Sequence, residues 1–296
     1  MGGYVGACQE QCLAHRFPSL DGRMRIRVRH ETRYRYDTPP TGVIQTLRLT
    51  PRNYEGQFVV DWRIEISADC RLDEQEDAFG NITHAFTVEG PVTDLTVTAD
   101  GIVDTHDTNG VVRDAIERFP PSLFMRETPL TYADEAMRAF TAGLMKKPDT
   151  LSLLHGLLDT LHEDIAFDPD TTRTGTNAAE AFAAKRGVCQ DMAHIFIGCA
   201  HAAGVPARYI SGYLHRNDGI TDQRAGHAWA EAYVPDLGWV AFDPANGMCM
   251  TDAYVRVAVA LDYLGAAPVR GTRYGGGNEA LAVQILVDQS LRQPQN

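Results

Sequence analysis

Long apolar runs are absent from these 296 residues, and nothing approaches the roughly 20 consecutive apolar residues that a membrane-spanning helix requires. The first 24 residues lack the apolar middle region of a secretory signal. Gly6 stands where the N-myristoylation pattern needs Ser or Thr, so the opening MGGYVG fails that pattern too. The expectation is a soluble cytoplasmic protein without a membrane partner. Positive charge is also scarce: 27 Lys and Arg stand against 39 Asp and Glu, a formal net charge of −12. Nucleic-acid binding needs clustered cations that displace counterions from phosphates, so that class is excluded. The run Arg23, Arg25, Arg27, Arg29, Arg33 and Arg35 departs from this balance. It alternates with Ile26, Val28, His30, Tyr34 and Tyr36, as a strand with one wet face does.

Cysteine is sparse as well. The six (Cys8, Cys12, Cys70, Cys189, Cys199 and Cys249) are too few for a disulfide scaffold and form no CxxC pair of a structural zinc site. Cys8 and Cys12, four apart in the irregular leader, are not expected to form a metal site. Cys70, Cys199 and Cys249 read as small apolar core residues. No loop has the oxygen-ligand spacing that calcium requires. Neither a metal nor another cofactor is expected. What is present is a 44% apolar share, enough for a real core in one large domain or two ordinary ones.

Residues 1–23 are irregular and read as a disordered leader or an over-extended start. From Met24 the pattern is β. Segments 25–36, 44–50, 58–67, 82–88 and 95–104 are rich in Val, Ile, Thr and aromatics, and turn residues such as Pro39-Pro40 and Phe79-Gly80-Asn81 separate them. Strands without intervening helices predict an antiparallel β-sandwich-like N-terminal domain over 24–106. The segment 107–130, with three prolines, reads as a connector with one short helical turn. Helical spacing then appears at 134–145, 150–163, 177–185 and 189–203, with Thr150 or Ser152 as the cap of the second. Strands follow at 207–214, 227–234, 239–243, 254–260 and 281–288. Helices first and antiparallel strands after predict an α+β second domain over 131–290.

The chemistry concentrates in three segments. Arg186-Gly187-Val188-Cys189-Gln190-Asp191 reads as a loop running into a helix. Cys189 would then sit in the first turn, where free N–H groups and the helix dipole favour a thiolate. Met192, Ala193, Phe196, Ile197 and Ala200 extend the Cys189 stripe, so its helix is buried on that side. On this segment alone a core cysteine is an equal reading. In Gly226-His227-Ala228-Trp229-Ala230-Glu231, strand alternation puts His227, Trp229 and Glu231 on one face. Trp239-Val240-Ala241-Phe242-Asp243-Pro244 is a strand ended by proline, joined to the previous one as a hairpin. An odd loop of three or five residues sets Asp243 on the His227 face, diagonal to it; an even loop points it away. On the odd register a carboxylate orients an imidazole, the imidazole takes a thiol proton, and the thiolate attacks a carbonyl carbon.

The stretches RGVCQDMAHIFIGCAHAAGVPARYISGY and GHAWAEAYVPDLGWVAFDPANG resemble the core of the bacterial transglutaminase-like superfamily, relatives of papain-type cysteine proteases. RVRHETRYRYDTP, LRLTPR and DAFGN are similar to the β-rich region that precedes that core in one bacterial branch. The resemblance implies a catalytic triad of Cys189, His227 and Asp243. It also implies an oxyanion site made by the Cys189 N–H and an upstream side chain, for which Asn177 is the candidate. Gln190 and Asp191 are helix-start residues that help shape the cleft. Trp229 packs over the histidine or lines the cleft. Glu231 is a cleft wall or a strand residue satisfied by Arg208 or another cation. Arg208, Tyr209 and Tyr213 are structural, Asn246 stabilises the loop after Asp243, and His194 and His201 lie off the Cys189 stripe.

The expected activity is acyl transfer on a peptide, isopeptide or other amide through a thioester, with water as the preferred acceptor. The alternatives are transglutaminase-type amine transfer and a non-catalytic peptide-binding module. A metal site of Cys189, His194 and Cys199 is excluded, because residues five apart on a helix diverge by more than about 100°. Substrate identity and oligomeric state stay open.

Overall fold

Alternation from Arg23 onward builds the first sheet of the computed structural model, which describes residues 22–170, 173 and 175–290. The Cys8 and Cys12 readings and most of the leader lie outside these. In the strand Arg23–Tyr36 every second side chain is buried, and Arg25, Arg27 and Arg29 between them pair across to the neighbouring strand Asp94–His106. Arg25 Nε donates to Asp104 Oδ1 at 2.6 Å, and Arg29 Nη1 to Asp100 Oδ2 at 3.2 Å. The wet face of this strand is therefore a ladder of surface ion pairs, as alternation predicts.

The sheet runs in the order Asp222–Gln223, Glu279–Gln289, Arg23–Tyr36, Asp94–His106, Gln57–Ile66, all antiparallel. A second sheet, Val269–Tyr274, Gly42–Thr50, Ile82–Glu89, Asp73–Glu76, supplies Val43, Leu47, Leu49, Phe86 and Val88 to a core that Tyr34, Leu95, Val97 and Ala99 of the first sheet complete. This is the expected sandwich, with one correction to its limits. Val269–Tyr274 and Glu279–Gln289, assigned by sequence order to the 131–290 domain, return to complete the two N-terminal sheets. Pairing partners in an antiparallel sheet are set by edge availability as well as chain order, and the open edge of Arg23–Tyr36 is closed by the last strand.

The third sheet holds Met248–Cys249, Gly238–Asp243, His227–Val234, Ala207–Leu214 and Tyr254–Ala260, with Val111–Val112 of the connector paired to Gly238–Asp243. Among the described residues four helices longer than one turn lie beside it: α1 (Glu135–Leu144), α2 (Thr150–Asp164), α3 (Ala178–Ala184) and α4 (Cys189–Ala202). Asp149, rather than Thr150 or Ser152, caps α2, accepting from the Ser152 N–H at 2.8 Å. Alanines 228, 230 and 232 of the central strand share a core with Phe196, Ile197 and Ala200 of α4. Side chains this small let the helix axis approach the sheet closely. Met24, Ile26, Val28, Ile285 and Val287 of the first sheet join the same core, so the two halves share apolar contacts. The architecture is α+β, with antiparallel sheets and few helices. Among the described residues no helix is long and apolar enough to cross a membrane.

On the opposite face lies a buried ion network. Glu231 is fully buried, and accepts from Arg208 Nε at 2.7 Å and from Arg256 Nε at 2.7 Å. Arg208, 1% exposed, also grips Glu117 of the connector through two bonds of 2.6 and 2.8 Å and lies 3.8 Å from the centre of the Trp239 ring. Burial works to raise the Glu231 pKa, but the two guanidinium groups more than reverse it and hold the pKa low. Removing the shared carboxylate would strand Arg256 and leave Arg208 held by Glu117 alone. Glu231→Ala should therefore destabilise the protein by about 3–5 kcal/mol in urea unfolding, and a loss below about 1 kcal/mol would contradict this reading.

Candidate active site

Cys189 is the first residue of α4 and His227 the first residue of its strand, so both stand at one end of the helix–sheet layer. Local chemistry sets up the helix start. The Val188 N–H donates to Asp191 Oδ2 at 2.8 Å, which satisfies one of the orphan donors preceding the first turn. A Cβ on Gly187 would come within 2.9 Å of the Asp191 side chain, so the loop can pass only if residue 187 has none. Asp191 is thereby a buried helix-start residue and not a cleft wall. Gln190 is half-buried beside Cys189.

The hairpin settles the register. Pro235, Asp236 and Leu237 make a loop of three between paired Val234 and Gly238, and Ala230 faces Phe242. This odd loop brings Asp243 to the His227 face. His227 Nε2 lies 2.6 Å from Asp243 Oδ2. An ionised carboxylate only accepts, so Nε2 carries the proton and Nδ1 is left for the thiol. The ring is hydrogen-bonded to Cys189. Its side chain is 11% exposed, and that of Asp243 is fully buried.

Asp243 is heavily solvated by protein. Oδ2 also accepts from Asn246 Nδ2 at 2.6 Å and from the Tyr254 hydroxyl at 2.7 Å, and Oδ1 from the Ala245 and Asn246 N–H groups at 3.1 and 3.4 Å. Burial alone would push its pKa up. The His227 charge and these donors outweigh burial and hold it below the usual carboxylate value. For His227 burial pulls the pKa down, yet Asp243 and Cys189 together raise it to about 10. Asn246 Nδ2 lies 3.3 Å from Nε2, but both are donors, so this is proximity without a bond.

The remaining residues sort clearly. Trp229 is buried and stacks on the His227 ring, with centroids 6.0 Å apart. Its ring lies over Gly212, where a Cβ would be 2.7 Å away. Glu231 is on the His227 face as expected, and Arg208 and Arg256 enclose it, so it is the strand residue satisfied by cations and not a cleft wall. Asn177 caps α3, its Oδ1 accepting from the Glu180 N–H at 2.9 Å in a capping box; no bond links it to Cys189. Buried His194 accepts from the Tyr263 N–H at 3.1 Å, and burial lowers its pKa to about 4. Tyr213 bonds His30 Nδ1 at 3.0 Å, which ties the first sheet to the third. Cys70 is half-buried rather than buried. Among the described residues no group of three or more His, Cys, Asp or Glu could hold a metal ion.

The model of the transglutaminase-like superfamily matches residues 138–244, and that of the bacterial transglutaminase-like N-terminal region matches 26–104. An uncharacterised protein of Mycobacterium leprae is 31% identical over 277 residues, covering 89% of this chain and 98% of that protein. The chain belongs to the bacterial transglutaminase-like family. An uncharacterised protein of Mycobacterium tuberculosis is also 31% identical, over 294 residues, covering 91% of this chain and 93% of its own. A protein-glutamine gamma-glutamyltransferase of Pseudomonas aeruginosa is 29% identical over 127 residues, 39% of this chain and 19% of that enzyme. A solved Cytophaga hutchinsonii structure, described as a candidate cysteine protease, superposes with a TM-score of 0.75 at 17% identity, covering 92% of this chain and 93% of that one. That likeness establishes a common transglutaminase-like fold.

The raised His227 pKa predicts a pH signature. A protonated ring bound by Asp243 adds stability that is complete below the unfolded value of about 6.5 and is lost as pH rises through about 10. Asp243 adds stability that is lost in acid, as its carboxylate takes up a proton. The difference in urea midpoint between wild type and His227→Gln should therefore shrink from neutral pH toward both extremes. A flat difference would contradict the pairing.

Proposed function

We propose that the protein is a cysteine-dependent acyl-transfer enzyme that hydrolyses a peptide, isopeptide or related amide, with Cys189 as nucleophile. The observation that carries this reading is the contact of Cys189 with a His227 ring whose far nitrogen is bound to Asp243 at 2.6 Å. An imidazolium held by a buried carboxylate is the natural counter-ion of a thiolate at a helix start.

The steps follow from these groups. The Cys189 sulfur adds to the amide carbon, and the oxyanion is received by the Cys189 N–H at the start of α4. The imidazolium gives its Nδ1 proton to the amide nitrogen, the C–N bond breaks, and an amine leaves a thioester on sulfur. His227, now neutral, takes a proton from water as the water oxygen attacks the thioester. The acid departs, and the thiolate and imidazolium are restored. Asp243 stays anionic throughout and fixes the ring tautomer.

Water as acceptor is favoured by the setting of the nucleophile. Cys189 is half-buried and its histidine partly exposed, so solvent reaches the place where the thioester would form. The relatives carry both outcomes in their names, one a candidate cysteine protease and one a gamma-glutamyltransferase. Peptide and isopeptide libraries with an added primary amine, read by mass spectrometry, separate the two. Release of acid without amine incorporation is expected. Cys189→Ala should abolish turnover with the fold intact, and Asp243→Asn should slow it by a factor on the order of 10² to 10⁴. Wild-type rates in either variant would end this proposal. Iodoacetamide gives an independent check, since Cys189 should label far faster than Cys70, Cys199 or Cys249.

A further inference from the structure

Asp243 receives donors from three separate places, and they differ in what they can hold. Ala245 and Asn246 belong to the same loop as Asp243, so they move with it. His227 is the ring being oriented. Tyr254 alone among these donors comes from the strand Tyr254–Ala260, which lies beyond Ala207–Leu214 in the sheet. We propose that Tyr254 is a positioning residue of the site: its hydroxyl, 2.7 Å from Asp243 Oδ2, anchors that carboxylate to the sheet and keeps it ionised and aimed at His227. The inference rests on the acyl-transfer reading of Cys189, His227 and Asp243, and supplies a fourth residue that the family comparisons do not assign.

The Tyr254 ring has little freedom. It is 1% exposed, meets Trp229 edge to face at 5.4 Å and 79°, and lies 5.9 Å from the His227 ring. Trp229 in turn stacks on His227. The two aromatic rings thus brace both partners of the His227–Asp243 bond, and the hydroxyl is delivered to one point. A Phe would fill the same apolar space, so the oxygen needs its own explanation. A buried hydroxyl is tolerated where it finds an acceptor, and a charged acceptor makes the bond strong.

The groups around the carboxylate set the sign of its response. His227, with Cys189 behind it, is the charged group set against Asp243, and Asn246 and Tyr254 are neutral donors. Arg256, farther along the Tyr254 strand, is bound to Glu231, and His162 of α2 lies 3.2 Å from the Pro244 carbonyl through Nδ1. Burial favours the protonated acid, and each donor opposes this. Loss of the Tyr254 donor lets Asp243 take up a proton at a higher pH. His227 then loses its anion, and the thiolate loses its imidazolium.

The test is the pH dependence of Cys189 labelling by iodoacetamide in the full chain, with the labelled site read by mass spectrometry and folding by thermal melting. Tyr254→Phe should move the acid limb of the rate profile to higher pH by about one unit. Replacing Tyr254 with 3-fluorotyrosine, the same size but a stronger donor, should move it to lower pH, and this arm stands even if the Phe variant does not fold. A purely structural tyrosine would lower the melting temperature and leave the limb in place, and limbs that superpose on wild type overturn the proposal. Asp243→Asn separates the two readings. If it labels like wild type at every pH, the acyl-transfer reading has failed. If it is impaired while the Tyr254 variants keep the wild-type limb, only the positioning role has failed.

Discussion

A carboxylate with no solvent contact costs several kcal/mol unless protein donors replace its water, and Asp243 is such a group. Two N–H groups, an amide, a hydroxyl and an imidazole perform that replacement. Much of the surrounding architecture serves this arrangement. The three-residue hairpin loop delivers the carboxylate to the correct face, the turn after Pro244 folds back its N–H groups, and the Trp229–Tyr254 contact fills the space beneath the ring. A slip of one residue in the hairpin would turn Asp243 toward the core shared with α4 and bring Phe242 to the His227 face.

The ion network and the candidate site occupy one face of one sheet. His227, Trp229 and Glu231 alternate along a single strand, and each has a different kind of partner: an acid, an aromatic ring and two arginines. Small residues on the reverse face let α4 approach closely, while the polar face is locked by charge pairing and by the connector through Glu117 and Phe124. The sheet is thus held from both sides, which suits a strand whose first residue must keep a fixed orientation toward a sulfur on another element.

Much of this was legible in the sequence, for identifiable reasons. Alternating burial in Arg23–Tyr36, the apolar stripe of α4 and the strand-ending proline after Asp243 are local patterns, and local patterns are what a sequence displays. The hairpin ties Asp243 to His227 only on an odd loop, and the sequence leaves that parity open; the pairing of Val234 with Gly238 decides it. Tyr254 was not legible, because its ring reaches Asp243 from a strand that is not its hairpin neighbour. Glu231 reads equally as a cleft wall or a paired strand residue in the sequence, and only three-dimensional packing shows two arginines converging on it. Asn177 was chosen by its position upstream of the nucleophile, whereas its polar side chain caps the nearest helix. The short strands and the homeward course of residues 269–289 also escaped, since pairing between distant segments leaves no periodic trace.

That homeward course has a consequence for the order in which the molecule can be made. Ile26 pairs with Gln289, and the same last strand binds Asp222–Gln223, a few residues before His227. The strand Arg23–Tyr36 must therefore wait for Glu279–Gln289 before its sheet is complete. Contacts this distant along the chain close slowly. The loop that introduces the histidine gains its edge pairing only once Glu279–Gln289 has been made, so a nascent chain would carry the thiol well before it carries a fully supported partner for it.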